Sequence, residues 1–458
     1  MSAPALGPRP NTRLSTLLNL AWPVVVSRSS QVVVGLTDAL MVTHLGEDAL
    51  AATTTGAFNT IAVFILPVGI AYLVASFASQ LTGKGDPAGA RRYGTYGLLL
   101  AGATQLLSLL ALPLLGPVLG LLPYTPAVRG LIENYLLIRL TSTGAAVGIE
   151  ALANYYGGTG NTRLPMVVNV VAMVLNVFGN WVLINGTLGV PAMGVAGAAL
   201  ASTLATWIAF LLFWAVFHWG GQDVQRTPRR AAEFWRMLKF GLPSGFNWFF
   251  EFFAFNMFVN LVVAGLGTTA LASLMAVMQI NTVAFMPSFA VASAGAILVG
   301  QAIGAQAKDD VPRIVRLTLS TAATWQGLVG LLYLVAPALL FAPFVRGAAE
   351  SPALMAAGVR LLMLSSAWQL FDAAAGTFAE SLRAAGDTTF TMWARIVIAW
   401  LIFMPGSYLS VRHLGWGDVG AVSWVVLYLA LLAGTLWLRF RAGVWRRIDL
   451  TAVEAPLV

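Results

Sequence analysis

Residues 16–42 read TLLNLAWPVVVSRSSQVVVGLTDALMV, an apolar run in which the charged residues are Arg28 and Asp38. The run is longer than the apolar core of a secretory signal peptide, and no small-residue cleavage site follows it. About 20 apolar residues in a helix cross the hydrocarbon core of a bilayer. We therefore predict that this segment is the first membrane-spanning helix of the chain and not a removed signal.

Eleven further apolar runs follow in the 458-residue chain, so the sequence predicts twelve spans. Composition supports this prediction, because 58% of the residues are hydrophobic and only 10% are charged. Soluble domains carry about 25% charged residues. We expect an all-α polytopic membrane protein with spans at 16–42, 52–80, 93–120, 128–156, 163–187, 192–219, 234–265, 270–303, 314–344, 353–383, 390–412 and 417–440.

The basic residues indicate the orientation of these spans. When both termini and the even-numbered loops are placed on one side, that side holds 20 of the 26 Lys and Arg residues, Arg395 among them. The other side holds 4, and Arg28 and Arg139 lie inside spans. Because cytoplasmic loops carry the excess of Lys and Arg, we expect both termini in the cytoplasm.

The two halves of the chain resemble each other at a nearly constant offset. Leu20-Ala21-Trp22-Pro23 matches Phe240-Gly241-Leu242-Pro243 at an offset of 220, and Gly160-Asn161-Thr162 matches Gly386-Asp387-Thr388 at an offset of 226. Six spans per half make the repeats parallel. We expect a cytoplasmic tail at 1–15, an N-lobe at 16–219, a cytoplasmic linker at 220–233, a C-lobe at 234–440 and a second cytoplasmic tail at 441–458.

Two parallel six-helix repeats are typical of secondary transporters, whose sites lie near the lobe interface. An enzyme is disfavoured, because the chain has no Cys, three scattered His residues and no Gly-x-Ser-x-Gly motif. No filter-like segment supports a channel. The net charge of +8 comes mainly from basic residues in the loops on one side of the membrane, so it does not indicate a nucleic-acid partner.

Ionisable residues inside the spans are the functional candidates, because a charge in hydrocarbon is costly unless it faces a cavity or a partner. Glu251 stands out, since it follows Asn247 and three aromatic residues and precedes two more. Burial penalises its charged form, so we expect Glu251 to exchange a proton or to bind Na+. Asp372 and Asp38 have similar settings. The alternative is a structural ion pair with Arg28 or Arg139, which is favoured for Glu150 and Glu380.

A second polar group is predicted around the first span. Asn176 and Asn180 are four residues apart and share one helix face. With Asp38 and a hydroxyl from Ser202 or Thr203 they offer the oxygen ligands that hard cations prefer. The alternative role is hydrogen bonding between helices. At the matched positions of the two repeats, Pro23 and Pro243 are expected to permit helix bending.

Several motifs resemble the multidrug and toxic-compound extrusion (MATE) transporter family, in its NorM-like branch. The first-helix motif is Gly35-Leu36-Thr37-Asp38-Ala39-Leu40-Met41-Val42, and the seventh-helix motif is Gly241-Leu242-Pro243 with Phe249-Phe250-Glu251. Gln301-Ala302-Ile303-Gly304-Ala305 is similar to the end of the eighth helix, and Gln369, Asp372 and Gly386-Asp387-Thr388 are similar to the tenth.

This resemblance implies a V-shaped two-lobe protein of the bacterial plasma (inner) membrane that exports drugs and metabolites in exchange for Na+ or H+ by alternating access. It implies that cation coupling and substrate binding use Glu251, Asp372, Asp38, Asn176, Asn180, Ser202, Gln279 and Gln369, with Na+ at Glu251, Asp372 or Asp38. Some members carry an acid where this chain has Asn180.

The expected partners are small organic cations and membrane lipid, with no cofactor besides the coupling ion, and the expected state is a monomer. Aromatic faces beside carboxylates suit flat organic cations. The alternative function is a flippase for lipid-linked precursors. A flippase requires a cationic cavity for pyrophosphate, whereas Arg28 and Arg139 are outnumbered here by at least three central acids.

Overall fold

A computed structural model of the chain describes residues 10–220, 228, 230–345 and 352–452. This described part is helical and contains no strand. Most of the predicted linker 220–233 and the outer parts of the predicted tails lie outside it. The helices are α1 Leu14–Val42, α2 Glu47–Ala71, α3 Leu73–Gly83, α4 Pro87–Ala111, α5 Leu115–Gly120, α6 Pro126–Arg139, α7 Thr143–Gly158, α8 Arg163–Asn185, α9 Gly194–Trp219, α10 Ala231–Met257, α11 Thr268–Gly304, α12 Val311–Val335, α13 Pro337–Phe341, α14 Pro352–Ser365, α15 Gln369–Ala385, α16 Thr388–Ile396, α17 Met404–Tyr408 and α18 Gly417–Arg441.

The described residues form twelve stretches that are long and apolar enough to cross a membrane, which confirms the predicted span count. Several stretches combine two helices. Glu47–Gly83 consists of α2 and α3, which are joined at Tyr72, and Thr388–His413 consists of α16, α17 and two π-helical segments. The predicted ninth span, 314–344, is displaced, because the helical stretch begins at Lys308 and breaks after Val335, just before Pro337.

Residue contacts divide the chain into two compact units. The N-terminal unit is Pro23–Gly245, and the C-terminal unit consists of the segment up to Trp22 together with Phe246–Val458. Both divisions fall inside helices that contain a proline, α1 with Pro23 and α10 with Pro243. The divisions therefore differ from the lobe boundaries predicted from the sequence.

Close packing explains why each of these two helices is shared. Leu17 and Ala21 on the first turns of α1 are buried in the core cluster of the C-terminal unit. On α10, a Cβ added at Gly245 would lie 2.6 Å from the carbonyl oxygen of Leu66, so the first part of α10 packs directly on α2. Glycine permits this close approach of backbones, as is common between membrane helices.

Candidate functional site

Asp38 on α1 is buried and is held by side chains from two other helices of the N-terminal unit. Asn180 Nδ2 donates a hydrogen bond to Asp38 Oδ1 at 2.5 Å, and Ser202 Oγ donates to Asp38 Oδ2 at 2.9 Å. Asn176 Nδ2 donates to Ser202 Oγ at 2.8 Å. The structure thus brings together all four residues that the sequence assigned to this pocket. We call them the Asp38 network.

Local geometry explains this network. Asn176 and Asn180 are one turn apart on α8, and α9 returns Ser202 to the same level of the unit. The turn between α8 and α9 begins at Gly186, which has a left-handed φ of +72°. A Cβ there would lie 2.5 Å from the backbone nitrogen of Ala192, so the tight turn requires glycine. The hydroxyl of Thr203 points elsewhere and donates to the Ile138 carbonyl at 3.4 Å.

The Asp38 network borders a cavity of about 440 Å³ within the N-terminal unit. This volume lies in the range of sites that hold small molecules. Aromatic and aliphatic side chains form much of its wall, and a few charged and amide groups converge on it. The lining includes Val34, Asp38, Ile61, Phe64, Val68, Tyr72, Tyr135, Arg139, Glu150, Asn169, Asn176, Ser202 and Arg28.

Two charges of this cavity form an ion pair. Arg28 Nη1 lies 3.0 Å from Glu150 Oε1, and Arg28 Nη2 lies 3.1 Å from Glu150 Oε2, in a bidentate arrangement. Gln31 Nε2 donates to the same carboxylate at 3.2 Å. Glu150 therefore forms the structural ion pair with Arg28 that the sequence analysis gave as the alternative role. Glu380 is also paired, with Arg383 one turn along α15.

Arg139 faces the same cavity but has no ion-pair partner among the described residues. Its guanidinium donates to Ser142 Oγ at 3.4 Å and hydrogen-bonds to Tyr135. It also attracts the Asp38 carboxylate electrostatically, without direct contact. The Asp38 network thus contains one carboxylate, two amides and one hydroxyl, and the positive charge of Arg139 lies nearby.

The C-terminal unit carries a different charged group. The Glu251 carboxylate on α10 forms an ion pair with Arg395 on α16, and Tyr428 on α18 hydrogen-bonds to the same arginine. Asp372 on α15 accepts a hydrogen bond from Gln326 Nε2 at 3.1 Å, and it interacts electrostatically with Glu251 and Arg395. The guanidinium therefore pairs directly with Glu251 and acts on Asp372 only through its charge. We call Glu251, Asp372 and Arg395 the Arg395 cluster.

One expectation from the sequence needs correction here, and two of the predicted site residues lie outside the Arg395 cluster. Arg395 was counted with the loop residues, but it lies within the span Thr388–His413 and binds Glu251. Gln279 is not part of the Arg395 cluster, because it lines a separate cavity of about 280 Å³ beside Phe341. Gln369 is buried and donates to Asn281 Oδ1 at 2.7 Å, so its contacts are with α11.

Sequence reasoning missed Arg395, Gln326 and Tyr428 as members of this site. Arg395 had an available signal, because it falls inside the apolar run 390–412 that was itself predicted as a span. Gln326 likewise stands inside the predicted run 314–344. Tyr428 had no comparable signal, since tyrosine is common in membrane helices.

The two units place polar residues at matching positions of the internal repeat. The offset of 220 relates Gln31 to Glu251. An offset of 222, at which Asn59-Thr60 matches Asn281-Thr282, relates Glu150 to Asp372. The offset of 226 relates Asn169 to Arg395. In each unit an arginine neutralises a carboxylate of this set, Glu150 in one case and Glu251 in the other.

A twelve-span helical protein with a polar pocket inside one six-span unit has the architecture of a membrane transporter. The fold is that of a solved structure described as the outward-facing conformation of a multidrug resistance MATE family transporter of the MOP superfamily. The TM-score is 0.85 at 20% identity, over 94% of this chain and 96% of that one.

The family model MatE matches residues 23–182 and 243–409, and the chain belongs to this family. It is 30% identical to the probable multidrug resistance protein NorM of Pseudomonas putida, over 95% of each chain. It is 29% identical to the multidrug resistance protein PmpM of Pseudomonas aeruginosa, over 89% of this chain and 87% of that one. The NorM-like resemblance is thereby confirmed, the protein is a transporter and not an enzyme, and the flippase alternative is not favoured.

Proposed function

We propose that this protein is a secondary active antiporter that exports small organic cations, drugs or toxic metabolites by alternating access, in exchange for Na+ or H+. The observation that carries the proposal is the Asp38 network, a buried carboxylate at the wall of a cavity of about 440 Å³. The names of the NorM and PmpM relatives, both multidrug resistance proteins, support this class of cargo.

The cavity offers an organic cation two kinds of contact. Phe64, Tyr72 and Tyr135 line the cavity, and aromatic rings attract flat cations and bury their apolar surface. Asp38 supplies the compensating negative charge. Because Asn180 and Ser202 already orient its two oxygens, the carboxylate is positioned before any ligand arrives.

The exchange follows from competition for carboxylates. A carboxylate that binds an organic cation on one side of the membrane and an inorganic cation on the other side links the two flows. We assign this role to Asp38 in the N-terminal unit and to Glu251 and Asp372 in the C-terminal unit. We further propose that the protein works as a monomer in lipid, with both termini in the cytoplasm, and that the helices with Pro23 and Pro243 bend during transport.

The test is efflux of ethidium from cells that express wild type, Asp38→Asn or Glu251→Gln. We expect wild type to lower cellular ethidium and each variant to lose most of this activity, because the variants remove the charge that binds the cation. Asp309→Asn is the matched control, because Asp309 pairs with Arg446 in a largely exposed position (95% for the Asp309 side chain). Equal efflux by wild type, Asp38→Asn and Glu251→Gln would refute the assigned roles.

A further inference from the structure

We infer that Arg395 is a tethered cation that takes the position Na+ would need at Glu251, so that this transporter exchanges its cargo for H+ and not for Na+. The inference rests on the proposed antiport and narrows it to one coupling ion. It assigns to Arg395 the choice of ion, a role distinct from binding the cargo. By a tethered cation we mean a guanidinium of the protein that stays beside the carboxylates throughout the cycle.

The first step is the occupancy of the Glu251 carboxylate. Arg395 forms an ion pair with it from α16, and Tyr428 on α18 hydrogen-bonds to the same guanidinium. A Na+ ion needs several oxygen lone pairs arranged around it, as hard cations do. Arg395 Nη1 directs an N–H donor at Glu251 Oε1, and its positive charge repels a second cation at this carboxylate. A proton needs only one oxygen and no coordination shell, so it can bind where Na+ cannot.

The second step is the charge of the whole cluster. Among the described residues, the titratable and charged groups that interact with Glu251 are Arg395 from α16, Asp372 from α15 and Tyr428 from α18. The neutral Gln326 from α12 donates a hydrogen bond to Asp372. With both carboxylates ionised, the cluster carries a formal charge of −1. One proton on either carboxylate makes it neutral and leaves the other paired with Arg395.

The third step concerns the Nε–H donor of Arg395. Its Nε–H is buried and has no hydrogen-bond partner within the part of the chain that the structure describes. Asp372 lies within electrostatic range of the guanidinium. When Glu251 is protonated, Arg395 can therefore turn to Asp372 and remain paired. The cluster can bind and release one proton without leaving the arginine uncompensated, which would be costly in a membrane.

The N-terminal unit shows the same pattern independently. Both oxygens of Asp38 already accept hydrogen bonds, and the side chains that bond them, Asn180 and Ser202, are neutral. The guanidinium of Arg139, which has no ion-pair partner among the described residues, faces the same cavity and adds a positive charge. The other ionisable groups in the described lining are Tyr72, Tyr135 and the Arg28–Glu150 pair. This unit too is built to hold a proton and to repel Na+.

The experiment uses the purified full-length protein in liposomes, with ethidium as the transported probe and an imposed gradient of either H+ or Na+. We expect a H+ gradient alone to drive wild-type transport, and added Na+ to leave the initial rate unchanged. Arg395→Met should become responsive to Na+, with an affinity for Na+ about tenfold or more above that of wild type, because one close repulsion is removed. Arg395→Lys, which keeps the charge, should behave like wild type.

Two controls isolate the role of the arginine. Glu251→Gln/Arg395→Met should show no response to Na+, because the carboxylate that Na+ would bind is gone. Arg360→Met removes an arginine from another ion pair of the same unit, with Asp418, and should leave the choice of ion unchanged. A purely structural role for Arg395 would change the amount of folded protein but not its response to Na+.

Thermal unfolding in detergent provides a readout that does not depend on transport. Na+ should raise the unfolding temperature of Arg395→Met and not that of wild type, since ligands stabilise the state they bind. A Na+ requirement in wild type, or an Arg395→Met variant that Na+ neither drives nor stabilises, would overturn the inference. Wild type that transports ethidium under neither gradient would refute the proposed antiport itself. The effect of Na+ on the unfolding temperatures of wild type and Arg395→Met would still test the role of Arg395.

Discussion

Arg28→Met should destabilise the N-terminal unit by about 3 kcal/mol, because it leaves the Glu150 carboxylate without its bidentate partner. Breaking a buried ion pair typically costs about 3–5 kcal/mol. We take the low end because the two side chains keep 17% and 13% exposure and border a cavity. For a cooperative unit of roughly 150–250 residues, this corresponds to an unfolding midpoint lowered by about 6–12 °C.

The measurement is thermal unfolding of the purified variants in detergent, with two comparisons inside the same protein. Arg28→Met/Glu150→Gln should recover to within about 1 kcal/mol of wild type, because no charge remains buried alone. Arg360→Met breaks the pair with Asp418, in which the arginine is 53% exposed, and should cost less than about 1 kcal/mol. If the double variant is as unstable as Arg28→Met, or if Arg360→Met is equally destabilising, then the burial of an ion pair does not determine how much free energy of unfolding is lost when it is broken.

Ser202→Ala should strongly reduce ethidium efflux, because it removes a hydrogen-bond donor to the buried Asp38 carboxylate. Thr206→Ala on the same cavity wall should not reduce efflux, since the Thr206 hydroxyl donates to the Ser202 carbonyl of its own helix at 2.7 Å. Unchanged efflux in both variants would contradict this role of the network. Gly97→Val should lower the yield of folded protein, because a Cβ there would lie 2.6 Å from the Cβ of Ala151. Gly102→Val on the same helix meets nothing within 4 Å, so equal yields measured by size-exclusion chromatography would count against the packing argument.

The Asp38 network was predictable from the sequence because its determinants are local. The spacing of Asn176 and Asn180 fixes a shared helix face, and charge in an apolar span marks Asp38. Arg395 was harder, because counting basic residues by loop treats every arginine near a span end as a loop residue. Its partner Glu251 is also more than 140 residues away in the chain.

Gln279 illustrates a different limit. A membrane helix is apolar both on the face that meets lipid and on the face that meets the protein core. Hydropathy therefore finds the length of a span but gives little information about its rotation. The sequence placed Gln279 on the eighth span correctly, yet only the packing of α11 shows that this side chain lies beside Phe341 and not beside Glu251.

The repeat allows one more step, because three residues of the Asp38 network have no polar counterpart in the second half. The offsets given above relate Asp38 to Phe258 and Asn176 to Ile402, and they relate Asn180 to Gly406. The Arg395 cluster, in contrast, lies at positions that are polar in both halves. The ion pairs Arg28–Glu150 and Arg395–Glu251 stand at different positions of the repeat, and Asp38, Asn176 and Asn180 are a feature of one unit alone. Loss of transport on removing Asp38 would therefore not be compensated by an equivalent group elsewhere in the chain.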